Sequence, residues 1–323
     1  MHATQRAYQP GTDFMRVRGL LVETFPSFFE LSNWRIERWN YCRCFVAPFF
    51  GDPDPAASAA CIRYWEETTR IWEDAAGRIS GVVSIEAPAE WHPEYNEVWI
   101  QRRPDADAPL DEMLAYAEAT FPHPKTGVVT VHANETDAEL AAALEKRGFV
   151  RDAEPSESDA EYVIAEPPQV TLPEGYTIVS MADENDLARR SETFGRSFNH
   201  PDPKDWASVA SVAEMQRAPD YHPELDLVLT NPEGEGVACC TIWWDEVNRI
   251  GVLEPVGTHP DYRRRGLGRA VVWEAIRRVA ARGAKSVWVG SAQPFYLAIG
   301  FQFRGYSFKW RRGSPGEIRH YPQ

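Results

Sequence analysis

Cysteine is scarce in this chain: Cys42, Cys44, Cys61, Cys239 and Cys240 are the only five among 323 residues. The number is odd and no two form a CxxC pair, which argues against a disulfide framework and against a zinc site. Positive charge is also in deficit. Lys and Arg number 34 against 48 Asp and Glu, a formal net charge of −14. A nucleic-acid binder needs a basic footprint that releases counterions from phosphates, so no nucleic-acid partner is expected. The acidic surplus reads as a solubility device or as an attractor for a cationic, amine-bearing substrate. No stretch approaches the ~18 apolar residues that would span a bilayer. Residues 1–6, Met-His-Ala-Thr-Gln-Arg, lack a basic-then-apolar secretory pattern. No membrane partner is expected, and the setting is expected to be cytoplasmic and reduced.

Length and apolar content point to two cores. The chain fits two compact domains of about 150 residues each, and 43% of it is hydrophobic. The clearest break is at 165–175, where Pro167, Pro168 and Pro173 remove amide donors and Gly175 follows. Neither a helix nor a central strand can run through such a segment. The expected domains are 1–166 and 167–323.

In the second domain the patterning predicts a strand at 176–180, helices within 183–198 and 206–216, and a strand at 226–230. The turn Asn231-Pro232-Glu233-Gly234 follows, then strands 237–244 and 249–258, a helix 267–282 and a strand 286–289. A short helix ends at Gly300-Phe301, and a last strand lies around 306–310. The first domain runs in a similar order. It has a helix 13–24, strands 69–73 and 78–86 about a turn, and a strand 97–100. A helix 110–119, a strand 128–132 and a helix 138–147 complete it, the last ending at Gly148-Phe149. The two Gly-Phe pairs stand 300 − 148 = 152 residues apart, and the matching order reads as a distant repeat. The fold class is α/β, with a mixed central sheet flanked by helices in each half.

Arg263-Arg264-Arg265-Gly266-Leu267-Gly268-Arg269-Ala270 is the most informative segment. An apolar strand leads in and an amphipathic helix leads out, with Leu267, Val271, Ala275 or Ile276, and Val279 on one face. At a helix start the backbone N–H groups lack intrahelical partners and carry the positive end of the dipole. Glycines let a pyrophosphate approach those amides, and the arginines add compensating charge. A dinucleotide fingerprint needs a strand ending at its first Gly and an acidic residue about 20 positions on. Residues 259–265 intervene here, so that reading fails. The plain alternative is a basic turn before a helix.

The segment resembles the acyl-CoA signature R/Q-x-x-G-x-G/A of the GNAT superfamily of N-acetyltransferases. Thr258-His259-Pro260-Asp261-Tyr262 is similar to the family's strand exit, and Tyr296-Leu297-Ala298-Ile299-Gly300-Phe301 to its closing Y-x-x-x-G-F. The motifs run in the family's order across roughly residues 172–310. The two-domain layout resembles tandem, mycothiol-synthase-like members in which one half is degenerate. The resemblance implies two tandem GNAT-like domains, with acetyl-CoA as acyl donor and no metal. It places the donor on Val256, Gly257, Thr258, Arg263, Arg264, Arg265, Gly266, Leu267, Gly268 and Arg269. It also implies a crevice where strand 249–258 parts from strand 286–289, a preferred ligand position in open α/β sheets. Pro255 supports that on physical grounds, because proline is disfavoured in a central ladder and marks a bend or an unpaired edge.

Acyl transfer needs a neutral amine, whereas alkyl amines are protonated at neutral pH. Glu254, sharing a strand face with Val252, Val256 and Thr258 under simple alternation, is the candidate base. It reads equally as a group bracing the Pro255 bend. Asp245 and Glu246 are weaker candidates and suit a turn. The resemblance makes Tyr296 the acid that reprotonates the departing thiolate, against a plain core role. The family's Asn before the last helix is missing from Val289-Gly290-Ser291-Ala292-Gln293-Pro294. Ser291 or Gln293 would replace its contact or simply cap the helix. Trp243 or Trp244 is a possible acceptor wall, though alternation sends one of them to plain core. The loops at 200–203 and 220–224 suit turns better than substrate contacts, and Cys239-Cys240 suits inert packing.

The corresponding stretch of the first half, residues 100–110, has no glycine. Pro104 and Pro109 remove amides, and Asp105, Asp107, Asp111 and Glu112 would repel a pyrophosphate. This half is expected not to bind CoA and instead to brace the active domain. Its aromatic stretch (Phe28, Phe29, Trp34, Trp39, Tyr41, Phe45, Phe49, Phe50) reads as core or interface before acceptor pocket, and Trp91-His92-Pro93-Glu94-Tyr95 is equally open. The expected function is acetyl transfer from acetyl-CoA to a primary amine of a small molecule within a ternary complex. The alternatives are a non-catalytic acyl-CoA sensor, or aminoacyl or peptidyl transfer from tRNA on a similar double fold.

Overall fold

The computed structural model describes residues 3–87, 97–104 and 109–313. The motif Trp91-His92-Pro93-Glu94-Tyr95, together with Asp105 and Asp107, lies outside the described residues. In chain order the elements begin with β1 (Thr4–Ala7), α1 (Pro10–Thr24), α2 (Phe28–Leu31), α3 (Ile36–Tyr41), α4 (Ala47–Phe49) and α5 (Pro55–Thr68). Next come β2 (Arg70–Glu73), β3 (Ile79–Ile85), β4 (Val98–Arg102), α6 (Leu110–Thr120), β5 (Val129–Asn134), α7 (Ala138–Lys146), β6 (Val150–Arg151) and β7 (Glu157–Val163). After an irregular stretch at 164–176 the chain continues with β8 (Thr177–Ser180), α8 (Leu187–Ser197), α9 (Val209–Met215), β9 (Asp226–Thr230), β10 (Gly236–Asp245) and β11 (Ile250–Thr258). It ends with α10 (Leu267–Ala281), β12 (Ser286–Val289), α11 (Pro294–Ala298) and β13 (Gln302–Arg312).

Two compact units form, and they do not follow a single cut near residue 166. The first draws on the chain up to Arg35, on Ala56–Ser158 and on the chain from Gly305; the second draws on Ile36–Pro55 and Asp159–Arg304. Packing explains the first departure. Trp243, Met215 and Val212 of the second unit need an apolar cover, and Cys44 and Phe45 from the π-helical turn Cys42–Val46 supply it. Polar contacts hold the same segment. The Asp52 carboxylate accepts from Ser208 N and Oγ at 2.8 and 2.6 Å, ahead of α9, and Asn40 donates to Asp220 at 2.7 Å.

The second departure concerns outer strands. The first unit's sheet has the order β1-β2-β3-β4-β5-β13, antiparallel except for β4 beside β5. In the second the order is β8-β9-β10-β11-β12-β7, antiparallel except for β11 beside β12. The two topologies are the same, so the repeat read from element order holds strand by strand. Each unit takes its last strand from the other half of the sequence. The Gly-Phe pairs match in detail as well. Gly148 and Gly300 have φ of +81° and +109°, and the following Phe149 and Phe301 donate their N–H to Leu144 O and Tyr296 O. Leu144 therefore stands in the first unit where Tyr296 stands in the second.

Within the second unit α10 lies on the sheet through Leu267, Val271, Ile276 and Val279, packed with Ile242, Leu253 and Val287. Each such buried side chain contributes about 1.5–3 kcal/mol. Gly251 lets the helix approach, since a Cβ there would meet Ile242, Val279 and Val287 at 3.1–3.4 Å. Trp243 and Trp244 alternate as the strand requires. Trp244 joins the α10 side and Trp243 the side covered by Phe45, and both are buried. Among the described residues no helix is long and apolar enough to cross a membrane.

Candidate active site

The site starts at a defect in a ladder. β11 pairs in parallel with β12 only from Ile250↔Ser286 to Leu253↔Val289, so residues 254–258 run on with no strand on that side among the described residues. On the other side, β10 stays paired, but the register passes from Ile242↔Leu253 to Cys240↔Val256. Three steps on β11 answer two on β10, which is a bulge with its extra residue at Glu254-Pro255. Pro255, which has no N–H to offer, sits where no partner strand asks for one. The bulge also corrects the face expected for Glu254. Leu253 and Val256 now share the α10 side while Val252, opposite Trp243, faces the other way, so simple alternation does not carry through residue 254.

Beyond Thr258 the chain makes a 3-10 turn, Pro260–Tyr262, closed by the His259 ring nitrogen accepting from Asp261 N. Arg264 and Gly266 then both take left-handed backbone, φ +64° and +80°, and α10 begins. Its first intrahelical bond runs from Ala270 N to Gly266 O. Among the described residues, the N–H groups of 264–269 have no acceptor, the ordinary state of a helix start with its turn. Gly268 is tight: a Cβ there would lie 2.8 Å from Thr258 Oγ1 and 3.4 Å from the Phe295 ring.

The arginines divide. Arg263 donates to Thr258 O, Ser197 O and Asn199 Oδ1 at 2.8–3.0 Å, tying strand end to α8. Arg265 donates to Asp261 O and lies over the Tyr262 ring, and Arg269 lies over the Trp273 ring. Arg264 is exposed and has no hydrogen bond or ion pair among the described residues.

Tyr296 on α11 is 8% exposed, with its ring edge-on to Phe295 and Phe301 at 5.1 and 5.5 Å. Burial pushes its phenol up from the ordinary value near 10, and the charges of Glu254 and then Cys240 add to the shift. The Glu254 carboxylate and the Tyr296 hydroxyl are thus within electrostatic reach of each other beside the bulge. The Glu254 carbonyl is held by Trp243 Nε1 at 2.8 Å.

Comparison with known families decides the class of this site. Residues 190–301 match the model of the acetyltransferase (GNAT) family. These residues are a GNAT acetyltransferase domain. It is an acyltransferase domain, and its limits enclose the bulge, the arginine loop and Tyr296. Among solved structures, the chain is similar to a GCN5-related N-acetyltransferase from Sphaerobacter thermophilus, with a TM-score of 0.55 at 17% identity over 96% of this chain and 95% of that one. It is also similar to a tandem GNAT protein from the clavulanic acid biosynthesis pathway, with a TM-score of 0.61 at 13% identity over 97% of this chain and 98% of that one. At these identities the likeness is one of fold, a tandem GNAT fold spanning the chain. No curated protein sequence matches.

Other residues singled out in the sequence are structural in this GNAT domain. Asp245 accepts from Val247 N, Asn248 N and Asn248 Nδ2, an Asx turn. Tyr221 donates to Asp226, which also receives Arg190 and Thr241 in a buried network. Glu224 pairs with Arg282, and Asp202 caps a 3-10 turn. Gln293 is the N-cap residue of α11, but neither its side chain nor that of Ser291 bonds the helix start; Ser291 Oγ accepts from Gln293 N at 3.4 Å. Cys239 and Cys240 are buried, and burial pushes both thiols up. Phe198 went unnoticed in the sequence. It is 40% exposed at the end of α8, and its ring lies 3.1 Å from where a Cβ on Gly257 would stand.

Proposed function

We propose that the GNAT domain transfers an acetyl group from acetyl-CoA to a primary amine of a small molecule within a ternary complex. The observation that carries this reading is the edge of β11 at 255–258, which has no strand beside it among the described residues and leads directly to the unpaired amides of 264–269. The residues fit such a donor. The edge offers backbone groups of Val256 and Thr258 to an extended amide-bearing arm, while those of Gly257 between them turn to Cys239 on β10. The amides of Gly266, Leu267, Gly268 and Arg269, with exposed Arg264, suit a pyrophosphate. Acetyl-CoA supplies the activated thioester. Arg263 acts as a brace, fixing the end of β11 against α8, while Arg265 and Arg269 add charge from stacked positions.

Two side chains manage protons. Glu254 takes the proton of the incoming ammonium group, which is charged at neutral pH. Tyr296 gives its proton to the departing sulfur. A phenol pushed up by burial and by a neighbouring carboxylate stays protonated through the neutral range, the state an acid requires. The acidic surplus of the chain favours approach of a cationic acceptor.

Thiol release from acetyl-CoA across a panel of amines tests the reading. Amine-dependent release with an N-acetylated product is expected. Binding without release would leave a sensor of acyl-CoA. Transfer from aminoacyl-tRNA, in place of acetyl-CoA turnover, would replace the donor altogether.

A further inference from the structure

In the first unit the parallel pair β4/β5 occupies the place that β11/β12 holds in the second, and it is joined only at Val98↔Val131. Past that point the backbone of β4 points groups into a crevice. Arg103 donates its N–H to Ser80 O on β3, so the N–H of Arg102 faces the opposite way, toward β5. Glu135 likewise donates to Tyr306 O, which leaves the N–H of Asn134 facing β4. Both are met by one short segment. The Asn33 carboxamide accepts from Arg102 N and donates to Arg102 O, each at 2.8 Å. Ser32 Oγ accepts from Asn134 N at 2.8 Å. Asn134 Nδ2 and Thr136 Oγ1 donate to Phe28 O and Phe29 O, and Trp34 N donates to Gln101 Oε1.

An ion pair locks the segment in place. Arg102 meets Asp137 with both nitrogens, at 2.7 and 2.5 Å, and reaches Leu31 O at 2.9 Å; Ser32 donates to the same Asp137. Arg102, Asp137, Ser32 and Asn33 are all at least 98% buried.

We propose that residues 28–34 close the β4/β5 crevice, so that the first unit holds its own chain where the second holds an acyl donor. This rests on the reading that the donor binds along the free edge of β11. The chemistry of the occupant fits: a carboxamide bonded to both the N–H and the C=O of one strand residue replaces the amide of an extended ligand. The absence of glycine and the prolines around 100–110 remove the phosphate grip; residues 28–34 fill the space for the arm. One acyl donor per chain follows.

Amide hydrogen exchange on the full chain, with and without saturating acetyl-CoA, tests this. The amides of Arg102 and Asn134 should exchange at least about 100-fold more slowly than in an unfolded chain, equally in both conditions, while those of Val256 and Thr258, which face away from β10, slow only with acetyl-CoA. In Asn33→Ala, exchange at Arg102 should quicken at least about tenfold while Asn134, still bonded to Ser32, stays slow. Fast exchange at Arg102 and Asn134 that slows on adding acetyl-CoA would overturn the proposal, as would an unchanged Arg102 in Asn33→Ala. If nothing near 256–258 responds but Arg102 and Asn134 remain slow, the donor site fails and the closure of the first unit stands.

Discussion

Replacing Tyr296 by Phe separates chemistry from packing. The Tyr296 ring is fixed by edge contacts with Phe295 and Phe301, and phenylalanine keeps both. The hydroxyl has no hydrogen-bond partner among the described residues, so its removal breaks none. Stability should change by no more than about 0.5 kcal/mol, the usual range for a substitution that removes no named interaction. A positioned general acid contributes about 10²–10⁴-fold, or about 2.7–5.4 kcal/mol of barrier at 1.36 kcal/mol per tenfold. Single-turnover thiol release should slow by that factor, with acetyl-CoA affinity and melting temperature unchanged. Full activity in the variant would refute the acid role. An activity loss matched by a melting temperature lower by several degrees would mean that Tyr296 is a core residue only.

Glu254→Gln should lower kcat at neutral pH, and the deficit should narrow as pH rises toward about 10, where alkyl amines lose their proton unaided; a deficit constant with pH would make Glu254 a brace. Arg264→Ala should weaken acetyl-CoA binding by roughly 10- to 100-fold with no change in melting temperature, because a charge-assisted contact is worth about 1.5–3 kcal/mol. Arg263→Ala, which removes the bonds to Thr258, Ser197 and Asn199, should lower stability by about 1–3 kcal/mol in denaturant titration. Arg102→Ala strands the buried Asp137 carboxylate and should cost about 3–5 kcal/mol on the same measurement. Burial raises both Tyr221 and Tyr296 above the ordinary phenol value. The folded state therefore holds those protons more tightly, and stability should be level below about pH 10 and fall as pH rises above it. A flat melting temperature from pH 9 to 11 would contradict that.

Elements carried by local patterning were readable from the sequence. β9 and β12 fall on the expected residues, and α10 begins at Leu267 and ends just before Gly283, whose φ is +92°. The facing of Glu254 was not readable, because alternation along a strand cannot register one extra residue until the partner strand is known. Pro255 marked the place but not the consequence. The unit boundaries were hidden for a different reason. Pro167, Pro168 and Pro173 mark an irregular stretch, as expected, but which sheet β7 or β13 joins, and which core receives Phe45, are set by contacts between residues far apart in sequence. The aromatic stretch before residue 51 accordingly divides, with Phe28 and Trp34 in the first unit and Phe45 beside Trp243 in the second. The arginine loop was visible as charge and glycine; the structure adds that Arg263 is engaged as a brace and that Arg264, among the described residues, has no hydrogen bond, ion pair or ring contact.

The central claim is that one acyl donor binds per chain, along β11 and the start of α10. Calorimetric titration with acetyl-CoA tests it most directly, alongside Gly268→Asp, whose side chain would intrude on Thr258 and Phe295. The account predicts one site per chain, lost in the variant while circular dichroism shows the fold retained. Two sites, or one site that survives Gly268→Asp, would contradict it.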